Sequence, residues 1–394
     1  QNRLDGQGRR FGFGDSESYW VLARTVAQGE PYQFGSKHAR VFRTPGYPIL
    51  LAPLFLIFGD EPDVIWARLE SACLGTLAVL GVFLLGRHLF GRKAGLAAAL
   101  IATFYPGGIA LSALVLSEAP FCALLPFNLW LWCAALEAKS TRRAGSLALA
   151  TGLVTAAATL VRPSWMLFVP FALGLGLVTS RSRLRHAGVG AGVLAGLVLG
   201  MTPWWIHNWQ VAGHFVPTTL QVGASLYDGQ NFRATGASDM WFTDGFAQEE
   251  AALQAAGRTD PDEIFEYRLD RRKRDAAVEW AGANPGRVVQ LAGIKFLRIW
   301  NVWPNEPAFS SWPVRLVVMV GYVPILLLAL VGIFRTLGRG WPYAMCWLPA
   351  VYFTLLHMVF VGSIRYRDPA MLGLTVLAAG VVILWKRPAE KADV

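Results

Sequence analysis

Two short stretches near the start of the chain concentrate groups able to move protons and hold anions: Gly14-Asp15-Ser16-Glu17-Ser18-Tyr19 and Arg43-Thr44-Pro45-Gly46-Tyr47-Pro48. Further ionisable residues, Glu118, Arg162, His207, Lys295, Arg298, Arg365, Arg367 and Asp368, stand at or near the margins of apolar runs. A carboxylate can deprotonate an incoming nucleophile, and an arginine fork can hold an anionic leaving group through paired hydrogen bonds. Ionisable groups near membrane depth are costly, so function is the default reading for them. Each also has a plain structural reading. Asp15 equally suits a cap for a helix starting near Ser16, and Glu118 a first-turn acid favoured by the helix dipole. Arg162, before Pro163, suits a headgroup anchor, and Arg365 and Arg367 suit partners for Asp368. His207 reads more as an interfacial hydrogen-bonding residue than as a ligand. No cluster of His and acids has metal-ligand spacing, so a divalent metal is left open but without support.

The elements that must position these residues are membrane helices. Of 394 residues, 54% are hydrophobic and only 16% charged, against about a quarter charged in soluble domains. The apolar residues fall in runs of about 17–25, enough to cross a hydrocarbon core of about 30 Å. The fold class is therefore all-α and polytopic. Spans are predicted near 64–86, 94–113, 118–136, 145–161, 164–179, 187–206, 314–334, 341–361 and 370–385, with shorter interfacial helices at 15–30 and 47–58. The net charge of +10 sits in short loops carrying Arg87, Arg92 and Lys93; Lys139, Arg142 and Arg143; Arg181, Arg183 and Arg185; and Arg335 and Arg339. That pattern reports topology rather than nucleic-acid binding, and it makes the basic loops cytoplasmic. The candidate residues then share the outer face. Four regions result: 1–63, a first outer loop; 64–206, about six spans; 207–312, a large outer loop; and 313–394, about three spans with a cytoplasmic tail. Within the large loop, alternating charge over 261–282 reads as a solvated helix face, and 285–303 reads as an interfacial helix. The four cysteines fall in apolar runs and read as packing residues. The chain opens on Gln in a polar stretch, and an upstream helix is expected to bring the full protein to about ten spans.

In that order and spacing, the motifs resemble the GT-C-fold glycosyltransferases, specifically the bacterial relatives of protein O-mannosyltransferases and of the aminoarabinose transferase that modifies lipid A. The resemblance rests on Gly14-Asp15 with Tyr19 and Ala23; Arg43 ahead of Pro45-Gly46-Tyr47-Pro48; Leu116-Ser117-Glu118-Ala119-Pro120; and Leu160-Val161-Arg162-Pro163. It continues through Pro203-Trp204-Trp205-Ile206-His207-Asn208, Tyr227-Asp228-Gly229-Gln230-Asn231 and Arg365-Tyr366-Arg367-Asp368-Pro369. His207 stands where relatives usually carry Arg, and Phe42 where the lipid A enzymes carry an acid. The resemblance implies a sugar donor carried on a polyprenyl phosphate, a cleft facing the periplasm of a bacterial inner membrane, and a single inverting displacement. Asp15 would be the base and Glu118 a second carboxylate. Arg43, Arg162, Arg365, Arg367, Lys295 and Arg298 would bind donor phosphate, and Tyr19, Tyr47, His207 and Tyr366 would line the substrate site. Besides membrane lipids, the partners would be the donor and an acceptor protein, lipid or glycan read by the 207–312 loop. A polymerase or flippase of lipid-linked glycans, or a transporter, is the competing class; charge-free spans weigh against the transporter.

Overall fold

The computed structural model describes residues 11, 14–36, 39–304 and 311–384, and these contain helices and no strand. Two helices lead in, α1 (Gly14–Gln28) and α2 (Gly46–Phe58). A bundle follows, formed by α3 (Val64–Phe90), α4 (Arg92–Thr103), α5 (Pro106–Ser112), α6 (Glu118–Glu137), α7 (Thr141–Val161), α8 (Phe168–Thr179) and α9 (Arg183–Ala212). The large loop carries α10 (Val222–Gly229), α11 (Thr243–Ala255), α12 (Phe265–Ala283) and α13 (Pro285–Ile299). The chain then re-enters the bundle as α14 (Trp312–Thr336), α15 (Leu348–Val359) and α16 (Asp368–Leu384).

Among the described residues, five helices, α3, α6, α7, α9 and α14, are long and apolar enough to cross a membrane. The predicted span at 94–113 is instead a pair, α4 and α5, bent by 63°. Pro106 explains the break: it lacks an amide donor and pushes the residue before it out of the helical region, and Tyr105 is extended at φ −69°, ψ 114°. The spans predicted at 164–179, 341–361 and 370–385 are shorter apolar helices, as is α2. The 341–361 segment is divided into a four-residue turn, Trp341–Ala344, and α15. Within the large loop, α10 and α11 are helices that carry no periodic apolar signal in the sequence.

Close packing fixes the bundle. α7 and α9 cross backbone to backbone, and a Cβ added to Gly152 would lie 2.2 Å from the Val193 carbonyl oxygen. Small residues at such crossings let helices approach where lipid supplies no hydrophobic drive between them. A second contact joins α2 to the end of α7: a Cβ on Gly46 would lie 2.5 Å from the Leu160 carbonyl carbon, which sets Arg43 and Arg162 near one another. The centre is aromatic, with Trp165 stacked on Phe168 at 3.9 Å and Phe121 and Phe353 edge-on or stacked around them. Cys122, Cys133 and Cys346 are buried in this packing, but Cys73 is exposed on α3, so the packing role holds for three of the four. At the end of the bundle where α6 finishes, Arg185 donates to the carbonyls of Leu136, Ala135 and Ala138. The polar residues of interest lie at the other end.

Gly152→Val should destabilise the protein by about 1–3 kcal/mol through overpacking at the α7–α9 crossing, measured as a lowered unfolding midpoint in detergent; an unchanged midpoint would show that the two helices can part there without cost.

Candidate active site

Asp15 lies in the first turn of α1, and Ser18, three residues on, shares its face. The Ser18 hydroxyl donates to the Asp15 carbonyl at 2.7 Å and accepts from Arg43 Nε at 3.2 Å. Arg43 Nη2 donates to Asp15 Oδ1 at 2.7 Å, and its guanidinium sits 5.1 Å from the ring centres of both Tyr19 and Phe42. The Tyr32 hydroxyl lies 3.1 Å from the Arg43 carbonyl oxygen and 3.2 Å from that of Thr44, fixing the backbone behind the guanidinium.

Arg365 joins this arm to the second acid. It follows α15 in a 3-10 turn, Ile364–Tyr366. Its Nη2 is 3.5 Å from Asp15 Oδ2 and its Nε is 2.8 Å from Glu118 Oε1. Glu118, the first residue of α6, also meets Arg162 Nη1 at 3.1 Å and is 1% exposed. Arg162 leaves α7 as its C-cap and donates to Ser117 as well. The Tyr366 ring lies 5.5 Å from the Arg162 guanidinium and 5.4 Å from that of Arg365. His357 stacks on Tyr366 at 4.0 Å with the planes 2° apart, holding it from behind. Two carboxylates and three guanidinium groups thus form one line, Arg43–Asp15–Arg365–Glu118–Arg162, with one positive charge in excess.

Burial by itself would raise the Asp15 carboxyl, but Arg43 and Arg365 outweigh it and hold the group below the ordinary aspartate value. The Asp15 side chain keeps 44% of its surface exposed, against 2% for Glu118. Of the two acids, only Asp15 is therefore open to a reactant. Each guanidinium carries five N–H donors in a fixed fork, and the three together present a positively charged face beside Asp15.

Six of the twelve site residues read from the sequence belong to this cluster: Asp15, Glu118, Arg43, Arg162, Arg365 and Tyr366, with Tyr19 beside Arg43. The structure places the others elsewhere. Lys295 is wholly buried, and its ammonium donates to the carbonyls of Gly229 and Val359 at 2.8 and 2.9 Å; burial pushes it down to about 8. It ties the Tyr227-Asp228-Gly229-Gln230-Asn231 turn to the segment running on to Arg365, and Gln230 donates to Val359 alongside it. Arg298 donates to Gly362 in the same strap. Arg367 is 1% exposed, donates to the Ile299 and Asn301 carbonyls and lies 3.5 Å from the Tyr322 ring centre. Tyr47 is buried edge-on against Tyr19, and His207 is stacked on Trp204 with Nε2 3.4 Å from the Arg40 carbonyl. Proximity to the outer margin does not separate a cation facing a cleft from one that satisfies helix-end carbonyls.

The helix at 261–282 also differs from its reading as a solvated face. Glu266, Arg268, Asp270 and Lys273 are all buried. Arg268 meets Glu250 of α11 at 2.6 Å, Asp270 accepts the Gly223 amide at 2.7 Å, and Glu266 accepts the Arg40 and Val41 amides. Tyr32 and His357 carry no signal in the sequence, and Glu266 only that of a charged helix face. Ser18 and Ser117 lie inside the Gly14-Asp15-Ser16-Glu17-Ser18-Tyr19 and Leu116-Ser117-Glu118-Ala119-Pro120 motifs and are legible from them. Among the described residues no group of three or more His, Cys, Asp or Glu is arranged to hold a metal.

This bundle, with paired leading helices and a helical loop straddling one end, has the GT-C fold. Residues 42–207, under half of the chain, match the family model described as dolichyl-phosphate-mannose-protein mannosyltransferase. Among solved structures, the oligosaccharyltransferase AglB from Archaeoglobus fulgidus, in complex with an inhibitory peptide and a dolichol-phosphate, superposes with a TM-score of 0.60 at 14% identity. The match covers 95% of this chain and 47% of that one. The same archaeal enzyme tethered to an acceptor peptide containing the NVT sequon gives 0.57 at 13% identity, over 94% and 45%. ArnT from Cupriavidus metallidurans bound to undecaprenyl phosphate gives 0.45 at 15% identity, over 94% and 73%. The chain thus spans about half the length of the archaeal structures it matches. No curated protein sequence matches it.

Removing one partner of a buried ion pair leaves an uncompensated charge. Arg365→Met should therefore destabilise the protein by on the order of 3 kcal/mol, the low end because Arg162 still faces Glu118. Adding Glu118→Gln should recover most of that loss; a double-mutant cycle in chemical unfolding with no coupling between the two sites would show that they do not interact.

Proposed function

We propose that this chain is an integral membrane glycosyltransferase that moves a sugar from a polyprenyl-phosphate donor to an acceptor hydroxyl at the outer face of the membrane. The observation that carries the reading is Arg365, whose one guanidinium faces both the exposed Asp15 and the buried Glu118. Arg43, Arg365 and Arg162 bind the donor phosphate, whose oxygens suit guanidinium forks, and the excess positive charge favours an anionic lipid head. Asp15 takes the acceptor. The acceptor oxygen attacks the anomeric carbon, the bond from that carbon to the phosphate oxygen breaks, and its electron pair leaves with the phosphate. The hydroxyl proton passes to Asp15. Attack from the face opposite the leaving group inverts the anomeric centre.

A carboxylate held below its ordinary value is a weak base, and the chemistry tolerates this. With an oxocarbenium-like transition state, the proton moves late, once bonding to carbon has made the hydroxyl acidic. The phosphate leaves without protonation, because the guanidinium groups neutralise it. Glu118, shielded and paired on both sides, holds Arg162 and Arg365 in place. The fit of residues 42–207 to the mannosyltransferase model and the dolichol-phosphate named in the AglB complex support this donor class.

Transfer of labelled sugar from polyprenyl-phosphate donors in proteoliposomes tests the assignment. Asp15→Asn should lower turnover by about 10²–10⁴-fold with the fold retained; wild-type turnover in that variant removes Asp15 from the reaction.

The pH profile gives a second test. Because the Asp15 carboxyl is depressed in the folded state, the group is ionised above its unfolded value, and its stabilising contribution is lost only as pH falls through the lower folded value. The acid limb of kcat/KM should accordingly lie below about 4, the ordinary aspartate value; a limb near 6 would assign the titration to another group.

A further inference from the structure

Glu266 lies on the charged helix α12, far in sequence from the cluster, and is 7% exposed. A single oxygen, Oε2, accepts both the Arg40 amide at 2.9 Å and the Val41 amide at 3.0 Å. The carbonyls of the same two residues are held as well: Val41 accepts the Leu220 amide at 3.0 Å, and the Arg40 oxygen lies 3.4 Å from His207 Nε2. All four backbone polar groups of this dipeptide are thus anchored by residues from the end of α9 and the large loop. Phe42 follows, stacked on Phe34 at 5.2 Å and lying under the Arg43 guanidinium. We infer that Glu266 is a positioning residue for Arg43, anchoring the backbone that sets where this guanidinium stands. The inference rests on the phosphate-binding reading of Arg43 given above.

The second carboxyl oxygen of Glu266, Oε1, is buried and has no hydrogen-bond partner. A charged carboxylate would leave that oxygen uncompensated, whereas a neutral carboxyl can carry its proton there. Burial pushes Glu266 up to about 7, against the lowering effect of the two amides, and Asp270, a titratable neighbour on the same helix, adds to the rise. A glutamine reproduces the neutral form: its amide oxygen accepts both backbone donors and its nitrogen occupies the unpartnered position. Asp270 provides an internal control. It is also buried on α12 and also accepts a backbone amide, but that amide belongs to Gly223 of the large loop rather than to the segment leading into Arg43.

Three variants separate anchoring from general loss of stability. Glu266→Ala should lower turnover by about 100-fold, the scale expected for an ångström of misplacement, and should remove hydrogen-exchange protection from the peptide spanning residues 39–44. Glu266→Gln should retain wild-type turnover and protection, and Asp270→Ala should keep both even with a lowered melting point. Should Glu266→Ala not fold, Glu266→Asp, whose carboxyl stops one methylene short, makes the same test. Wild-type turnover in Glu266→Ala, or equal losses in Glu266→Ala and Asp270→Ala, would overturn the inference. If Arg43→Gln itself turned over normally while protection still depended on Glu266, the functional reading would fall and the anchoring would stand.

Discussion

Glu118 is a carboxylate with almost no access to solvent, placed at the head of a membrane helix, and the site depends on how that charge is compensated. Continuum electrostatics makes an isolated charge there prohibitive. Two guanidinium groups offset it, Arg162 at 3.1 Å and Arg365 at 2.8 Å, and those contacts bring the end of α7 and the turn before α16 to the start of α6. Arg365 also turns Nη2 toward Asp15. A requirement of burial thus draws four separate segments to one point, and the exposed acid stands at the end of the line with its own arginine.

The arginines are held with unusual completeness. Arg43 has aromatic rings on two sides and a tyrosine hydroxyl behind its backbone. Arg162 and Arg365 share the Tyr366 ring, itself backed by His357. A group pre-oriented toward a developing charge loses little on reorganisation when the charge arrives, and rigid supports of this type are what separate a cation poised for catalysis from one merely nearby. The large loop contributes from both sides: through Glu266 to the Arg40 and Val41 amides, and through Lys295 and Gln230 to the strap that leads to Arg365.

Much of the fold was legible because lipid imposes long apolar runs and segregates charge into short loops. The membrane helices, the two leading helices and the gathering of acids and arginines at one end follow from that constraint. The break at Pro106 was also available in the residues, but hydropathy averages over it. What a linear pattern conceals is the partner of a buried polar group. Lys295 and Arg367 carry the same charge as Arg365 and likewise flank apolar runs, yet they end on backbone carbonyls. Alternating charge on α12 has the look of a wetted surface, yet Glu266, Arg268 and Asp270 each meet a partner from another segment. Such pairings are three-dimensional and leave no spacing signature.

The anchoring of Arg40 and Val41 by Glu266 spans 225 and 226 residues of sequence, and the contact of Asp15 with Arg365 spans 350. Chain synthesis proceeds from the N-terminus, and distant contacts form only after the intervening loop has closed. The first acid and its arginine therefore emerge and enter the membrane long before the groups that orient them exist. Through most of biosynthesis the chain carries the reactive pair without the line of charges around it, and the site comes together only when the last helices are in place. The order in which these charges meet is thereby written into the topology of the chain.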